Sequence, residues 1–314
     1  MQRSRFLFLV VISAVLAPLL KAADDALSPA QLHIGGAVID VTFAPGKIDL
    51  PRSQVLTWVS NAAEAVTEYF SRFPVEQARI IIRPAEGRSG IFRGMTWGER
   101  GAHTRISLGE FTSPRDLDDD WMMTHELIHM AFPDVAGDGH HWMEEGMATY
   151  IEPIARAQIG KLTAAKVWRD MVRDMPQGLP QAGDQGLDYT HTWARTYWGG
   201  ALYWMLADIR IRECTSNRQG LQDAMRAILK AGGDIEHEWS VPKILETGDK
   251  ATGCRVLEDL YDQMKGSQVQ TNLPALWGRL GISEKNGNFT FHDDAPLAKI
   301  REAITAPEKL QKGQ

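Results

Sequence analysis

The five consecutive residues His125-Glu126-Leu127-Ile128-His129 constrain this 314-residue chain more than any other feature of its sequence. On an α-helix, side chains four positions apart lie on one face, so the imidazoles of His125 and His129 can reach a single metal ion. Glu126 lies one position after His125, where its carboxylate projects beside the ion and can accept a proton from a bound water. The pattern therefore predicts a helix that carries two metal ligands and a general base.

A catalytic zinc ion needs a third protein ligand and leaves one coordination position open for water. Glu145 follows His129 by 16 positions, in a second predicted helix at about residues 141–159 that would present it to the first helix. We therefore predict that Glu145 is the third ligand. Glu144 ranks second and His141 third, and both alternatives stay open at this point.

The segment His-Glu-Leu-Ile-His, followed by Trp-Met-Glu-Glu-Gly-Met-Ala-Thr-Tyr, resembles the gluzincin metallopeptidases of the aminopeptidase N and glycyl aminopeptidase types. The resemblance implies that His125, His129 and Glu145 bind Zn²⁺. It also implies that Glu126 is the base in the hydrolysis of a peptide or protein substrate. The chain departs from the family pattern at Glu144, where Asn is usual, and its spacer after the second His is a few residues shorter.

A second segment with the same resemblance is Thr-Tyr-Trp-Gly-Gly-Ala around Tyr197. In these families a Tyr precedes Lys-Gly-Ala at the start of a helix, and Gly199 occupies the position of that Lys. The match implies that Tyr197 donates a hydrogen bond to the oxyanion of the tetrahedral intermediate. Tyr189 and His191, which precede it by 8 and 6 residues, are alternative donors.

The substrate-binding strand of the aminopeptidase N type is matched only in part. That family has a Gly-x-Met-Glu-Asn strand whose Glu binds the substrate amine, and the nearest segment here is Gly-Met-Thr-Trp-Gly-Glu at residues 94–99. No acid occupies the matching place, because Glu99 lies two residues late. We expect the segment to bind a peptide backbone by edge pairing, and the sequence does not decide between endo- and exopeptidase activity.

Hydrophobic periodicity predicts strands followed by helices, an order typical of an α+β domain. With the resemblance, this order predicts a thermolysin-like zincin catalytic domain, in which a small mixed sheet packs on the HExxH helix and a mostly helical part follows. Strands are expected at Leu32–Phe43, Ala78–Arg83, Gly90–Trp97 and His103–Leu108. Helices are expected at about residues 55–70, 116–132, 141–159, 162–174, 192–212, 218–231, 254–265 and 272–281.

The chain is expected to have four parts. Residues 1–23 are a predicted signal peptide, and residues 24–112 form an N-terminal helix with a small sheet. Residues 113–284 form the mostly helical zinc-peptidase part, and residues 285–314 form a polar, loosely held tail.

The signal-peptide prediction depends on Arg3 and Arg5, the apolar run Phe6–Leu20, and the small residues Ala22 and Ala23. A basic start, an apolar run too short for a membrane span and small residues at its end are typical of secretion signals. We therefore expect an exported protein, periplasmic or secreted, with no membrane span in the mature chain. An uncleaved N-terminal anchor is the alternative.

The two cysteines, Cys214 and Cys254, can form a disulfide in an exported protein, and two buried free thiols are the alternative. The net charge of −6, from 34 basic and 40 acidic residues, disfavours a nucleic-acid partner. The sequence does not predict an oligomeric state.

A catalytically inactive, peptidase-like binding protein is the competing interpretation, since a fold does not fix a function. The Gly at position 199 and the missing amine-binding Glu favour it. Glu126 favours the enzyme, because a residue with no ligand role has no place in a site that only binds metal.

Overall fold

The computed structural model describes residues 29–307. The predicted signal peptide at residues 1–23 and the end of the chain, residues 308–314, lie outside these bounds. Among the described residues, no helix combines the length and the apolar character that crossing a membrane requires.

A five-stranded mixed sheet dominates the first part of the described chain. Its strands are β1 (Ala30–Ile34), β2 (Ala37–Phe43), β3 (Gln77–Ala85), β4 (Ile91–Trp97) and β5 (Ala102–Gly109). The strand order is β1-β2-β3-β5-β4, with β2, β3 and β5 parallel and the two outer strands antiparallel to their neighbours. Alternate residues such as Ile80, Ile82 and Ile106 are fully buried, as the period of a half-covered strand requires. Because β4 is last in this strand order, it is an edge strand of the described sheet.

Most of the remaining described chain is helical. The helices are α1 (Arg52–Phe70), α2 (Pro114–Asp119), α3 (Met122–His129), α4 (His141–Gln158), α5 (Ala164–Asp174), α6 (Gly200–Cys214), α7 (Leu221–Lys230), α8 (Val241–Thr252), α9 (Val256–Met264), α10 (Leu273–Arg279) and α11 (Ala298–Thr305). A 3-10 turn spans Met175–Gly178, and a π turn, Arg195–Gly199, leads directly into α6. Two further strand pairs are β6 (Asp134–Val135) with β7 (Glu238–Trp239), and β8 (Ile282–Lys285) with β9 (Asn288–Phe291).

The HExxH helix, α3, lies between the sheet and the helical part. It packs against β4 and β5 on one side and against α1 and α4 on the other, and α4 in turn packs against α6. All residues of α3 from Met123 to Ile128 are buried. The architecture is α+β, with a small mixed sheet on the HExxH helix and a mostly helical part behind it, as the sequence predicts.

The single strand predicted over Leu32–Phe43 is wrong, because the chain reverses within it. Gly35 and Gly36 form a turn, and β1 and β2 pair antiparallel on either side, with Ile34 opposite Ala37. The Gly-Gly pair is a common hairpin signal, and it lies inside the apolar run that suggested one strand.

The single helix predicted at about residues 116–132 is also wrong, because α2 and α3 are separate. Asp120 causes the break. Its carboxylate accepts the backbone N–H groups of Met122 and Met123, at 3.0 Å each, and so caps the first turn of α3.

The C-terminal segment differs most from expectation. Residues 285–307 were expected to be loosely held, but they complete a β-hairpin and form α11, which contacts α4, α5 and α6. Leu297, Ile300 and Ile304 are buried at helical spacing, and this short apolar stripe was obscured by polar neighbours. Helix α8 was not predicted either.

Cys214 and Cys254 form a disulfide. It joins the end of α6 to the segment before α9, across a sequence separation of 40 residues. The question that the sequence left open is thereby answered in favour of the bridge.

Candidate metal centre

Three ligand atoms converge where α3 meets α4. Nε2 of His125 lies 3.1 Å from Oε2 of Glu145, and Nε2 of His129 lies 3.5 Å from the same oxygen. All three ligand atoms lie within 4.8 Å of one another. Two imidazole nitrogens and one carboxylate oxygen are the donor set of many catalytic zinc sites, so these residues fit a zinc ion.

The alternative third ligands have other partners. Glu144 uses Oε1 to accept the backbone N–H of Val135 at 3.1 Å, and its Oε2 lies 3.4 Å from Nδ1 of His141. Nε2 of His141 lies 3.3 Å from Oε1 of Glu145, whereas the two α3 histidines contact Oε2. The structure groups Glu145, and neither alternative, with His125 and His129.

A close approach of two backbones sets the position of Glu145. A Cβ atom at Gly146 would lie 2.3 Å from Cα of Gly200, and a Cβ atom at Gly200 would lie 2.2 Å from the carbonyl oxygen of Trp142. Only glycine fits at either position, so α4 and the start of α6 touch directly beside Glu145. Packing thereby explains the second glycine, Gly200, of the Gly-Gly-Ala run.

The charges within the cluster depend on burial and on the carboxylate. Burial lowers the pKa of His125, which keeps this imidazole in the neutral form that a metal ligand needs. Burial also opposes protonation of His129, but the neighbouring Glu145 carboxylate outweighs it and raises the pKa of His129. Burial alone would raise the pKa of Glu145, yet its hydrogen bonds with three imidazoles hold that pKa well below the usual range.

The general-base candidate, Glu126, is held by the sheet. Oγ1 of Thr96, on the edge strand β4, lies 2.8 Å from Oε2 of Glu126 and donates to it. A Cβ atom at Gly94 of the same strand would lie 2.3 Å from the other carboxylate oxygen, so this glycine makes room for the Glu126 side chain. The contact between Thr96 and Glu126 leaves no signal in the sequence, because no local pattern reveals which strand packs beside a helix.

Tyr197 is the one candidate oxyanion donor among the described residues that lines the same cleft as the ligands. Its ring lies 6.3 Å from that of His125, with the planes 16° apart. Burial, followed by the charge of Glu145, raises the pKa of its hydroxyl, so this group stays protonated at neutral pH. Tyr189 is 68% exposed, and the ring of His191 lies 2.9 Å from the carbonyl oxygen of Asp188.

Two acids, Asp120 just before α3 and Glu152 in α4, have partners other than the histidine ligands. Asp120 accepts the indole N–H of Trp58 at 2.9 Å and caps α3, while Glu152 accepts from Nη1 of Arg156 at 2.9 Å. Both acids therefore stabilise the helices and leave the histidine rings to other contacts.

The site opens into a cleft of about 990 Å³. Its walls are formed by the edge strand β4, by α3 and α4, by Tyr197 and by the segment at residues 235–238. Two imidazoles, a held carboxylate and a phenolic O–H therefore face a space large enough for a short peptide segment.

No protein-family model matches this sequence, and no curated protein matches it. Solved structures share its fold. The aminopeptidase N family protein from Idiomarina loihiensis is 12% identical, with a TM-score of 0.64, over 81% of this chain and 49% of that chain. An M1 zinc metallopeptidase from Deinococcus radiodurans is 16% identical, with a TM-score of 0.52, over 78% of this chain and 52% of that chain.

A mutant of the Deinococcus radiodurans enzyme, bound to a Tyr-Ser-Ala substrate, matches equally well, at 16% identity and a TM-score of 0.52. The match covers 79% of this chain and 53% of the mutant enzyme. The chain thus spans about half the length of the structures it matches. It has a gluzincin peptidase-like fold.

Proposed function

We propose that this protein is a zinc-dependent peptidase that hydrolyses peptide bonds with an activated water. The single observation that carries the proposal is the position of Glu126. Its carboxylate is outside the group of ligand atoms, yet it accepts a hydrogen bond of 2.8 Å from Thr96 and lines the same cleft as His125, His129 and Glu145. A site that only binds metal does not require this residue, whereas hydrolysis requires a base there.

His125, His129 and Glu145 would hold a zinc ion, which would lower the pKa of a bound water to about 7 and polarise the substrate carbonyl. Glu126 accepts the proton of the attacking water and passes it to the leaving amine. Tyr197 donates its O–H to the oxyanion of the tetrahedral intermediate. Thr96 keeps the carboxylate of Glu126 oriented during both proton transfers.

The proposed substrate is a peptide or a protein segment in an extended conformation. β4 borders the cleft and pairs on one side only among the strands at residues 29–307, and an edge strand can pair with an added strand through its backbone N–H and C=O groups. The Tyr-Ser-Ala substrate of the Deinococcus radiodurans enzyme supports a peptide as the ligand class. Glu99 also lines the cleft, and a comparison of peptides with free and with acetylated N-termini tests whether it binds a substrate amine.

We also propose that the chain is exported, to the periplasm or to the outside. The disulfide between Cys214 and Cys254 supports an oxidising compartment, since such bonds are rare in reducing cytosol. N-terminal sequencing of the mature protein tests this proposal and shows whether residues 1–23 are removed.

The test of function is cleavage of a degenerate peptide library by the zinc-loaded protein, read by mass spectrometry, with free and with acetylated N-termini. Wild-type protein is expected to cleave, and Glu126→Gln is expected to keep zinc and lose turnover. Glu126→Gln with wild-type activity would reject the mechanism. Zinc-loaded wild-type protein that binds peptides without cleaving them would establish the inactive binding protein instead.

A further inference from the structure

Few large apolar side chains are exposed on the described part of the chain, and most of those that are exposed lie around one cleft. Five such residues stand out between residues 29 and 307: Met95, Phe111, Trp121, Tyr189 and Trp193. Met95 and Trp121 line the cleft, and Trp193 stacks on Tyr197, which also lines it. Single exposed apolar residues are ordinary, but a group of them around one cleft marks a binding surface.

Two tryptophans flank the site, and each lies four positions before one of its residues. Trp121 lies four residues before His125, and their ring centroids are 5.4 Å apart with the planes at 90°. Trp193 lies four residues before Tyr197, and their rings are stacked at 5.4 Å with the planes 24° apart. Because His125 and Tyr197 face each other at 6.3 Å, the four rings form one continuous row.

This row of rings is placed by the local structure of each helix. Trp121 precedes the first residue of α3, where the Asp120 cap fixes the chain, and it remains 48% exposed. Trp193 begins the helical segment before the π turn, where Oγ1 of Thr192 accepts the backbone N–H of Arg195 at 3.3 Å, and it is 61% exposed. Both indoles therefore remain exposed to water, and neither is a residue of the hydrophobic core.

We propose that Trp121 and Trp193 form the specificity surface of this peptidase, and that it binds substrates with a bulky apolar or aromatic side chain next to the scissile bond. The inference rests on the proposed function and names its substrate class. An aromatic side chain laid against exposed indoles removes apolar surface of both partners from water and gains ring–ring contacts. Apart from the proposed catalytic and ligand residues of α3, the charged side chains that line the cleft lie on elements that carry neither tryptophan, namely α4, β4, β6, the β4–β5 turn and the segment at residues 235–238.

The experiment uses hexapeptides that differ only in the two central residues, which are Phe, Leu, Ala, Gly, Lys or Glu, with free and with acetylated N-termini. Zinc-loaded wild-type protein is expected to cleave those with a central Phe or Leu at least about tenfold faster, in kcat/KM, than those with Ala, Gly, Lys or Glu. Trp121→Ala and Trp193→Ala are expected to lose about tenfold toward Phe peptides and little toward Ala peptides. Phe111→Ala is the matched control, since Phe111 is 52% exposed but does not line the cleft.

Hydrolysis without an apolar preference, or an equal loss toward Phe and Ala peptides in both tryptophan variants, would overturn the inference. Binding separates this inference from the proposed function. Calorimetry with zinc-loaded Glu126→Gln protein measures the affinity for the same peptides without turnover. If wild-type protein cleaves nothing, the proposed function fails. Even then, about tenfold tighter binding of Phe peptides that depends on both tryptophans sustains the inference about the binding surface. Equal binding of all peptides rejects that inference.

Discussion

The hydroxyl of Thr96 and the carboxylate of Glu126 are 2.8 Å apart, and this contact joins the edge strand of the sheet to the HExxH helix. A hydroxyl has a single proton to donate. Oγ1 of Thr96 also lies 3.0 Å from the backbone carbonyl oxygen of Glu126, so its one proton faces two acceptors of the same residue, of which the carboxylate is the nearer. Thr104 is then the donor in the contact of 2.9 Å between the two threonine hydroxyls. The proposed base is therefore oriented by two consecutive hydroxyls that reach from the buried side of the sheet.

Thr96→Val is expected to lower kcat roughly tenfold or more, because it removes a hydrogen bond to a charged group while keeping the side-chain shape. KM and zinc content are expected to stay within about twofold, since the Thr96 side chain contacts no ligand and the substitution leaves the β4 backbone, which pairs with the substrate in this account, unchanged. Peptidase kinetics and elemental analysis measure both. Thr42→Val in β2 is the matched control, and a loss of zinc in Thr96→Val would contradict a role in orienting the base.

Tyr197→Phe is expected to reduce kcat by about 10²–10³-fold with little change in KM, the usual effect of removing one oxyanion donor. The ring itself is retained, so its stacking against Trp193 should persist. Steady-state kinetics on one peptide substrate measure the effect. If Tyr197→Phe is fully active while His191→Ala is not, the donor has been assigned to the wrong residue.

The sequence predicted the site better than it predicted the chain around it. The positions of His125, His129 and Glu145 follow from helical spacing and from two recognisable segments, and the structure brings their ligand atoms together. Thr96 could not be found in this way, because its role depends on which strand packs beside α3. Contacts between distant segments are set by the whole fold and leave no local pattern.

The secondary structure was predictable where apolar periodicity was long and unbroken, as in α1 and α4. It failed where one polar residue or a short apolar stripe decided the outcome. Asp120 divides a predicted helix by capping α3, and Ile300 and Ile304 dock a segment that its polar composition marked as a tail. Capping and docking are tertiary or very local effects that a window of average hydrophobicity does not resolve.

Cys214→Ser combined with Cys254→Ser is expected to lower the free energy of unfolding by about 4 kcal/mol in the chain-entropy model for a loop of this size. Denaturant unfolding of the oxidised wild type and the double variant measures the difference. Reduced wild-type protein is the internal control, because it should unfold near the midpoint of the double variant. Equal stability of oxidised and reduced protein would show that the bridge contributes nothing.

Glu152 is expected to make stability depend on pH. Burial, opposed by the charge and hydrogen bond of Arg156 and reinforced by Asp120 and Asp170, raises the pKa of Glu152 to about 7. The folded state binds this proton more tightly than the unfolded state. The contribution of this proton to the free energy of unfolding is therefore fully present below the unfolded pKa of about 4.5 and is lost as pH rises through 7.

Glu152→Gln imitates the protonated side chain and tests this linkage. As pH rises from 5 to 8, the free energy of unfolding of Glu152→Gln is expected to increase relative to that of wild type by on the order of 2 kcal/mol. Urea unfolding at several pH values measures the trend, and Glu246→Gln, at an exposed position, is the control. A constant difference across this range would mean that Glu152 ionises as it does in the unfolded chain.

The zinc content of the purified chain tests the central claim most directly. We predict about one zinc per chain in the wild type, and the loss of most of it in Glu145→Ala, since a catalytic zinc site needs its third protein ligand. Glu144→Ala is the matched control, because Glu144 is the adjacent acid and contacts Val135 and His141, outside the cluster of His125, His129 and Glu145. A wild-type protein that holds no zinc after reconstitution, or a Glu145→Ala protein that holds as much as the wild type, would contradict the account.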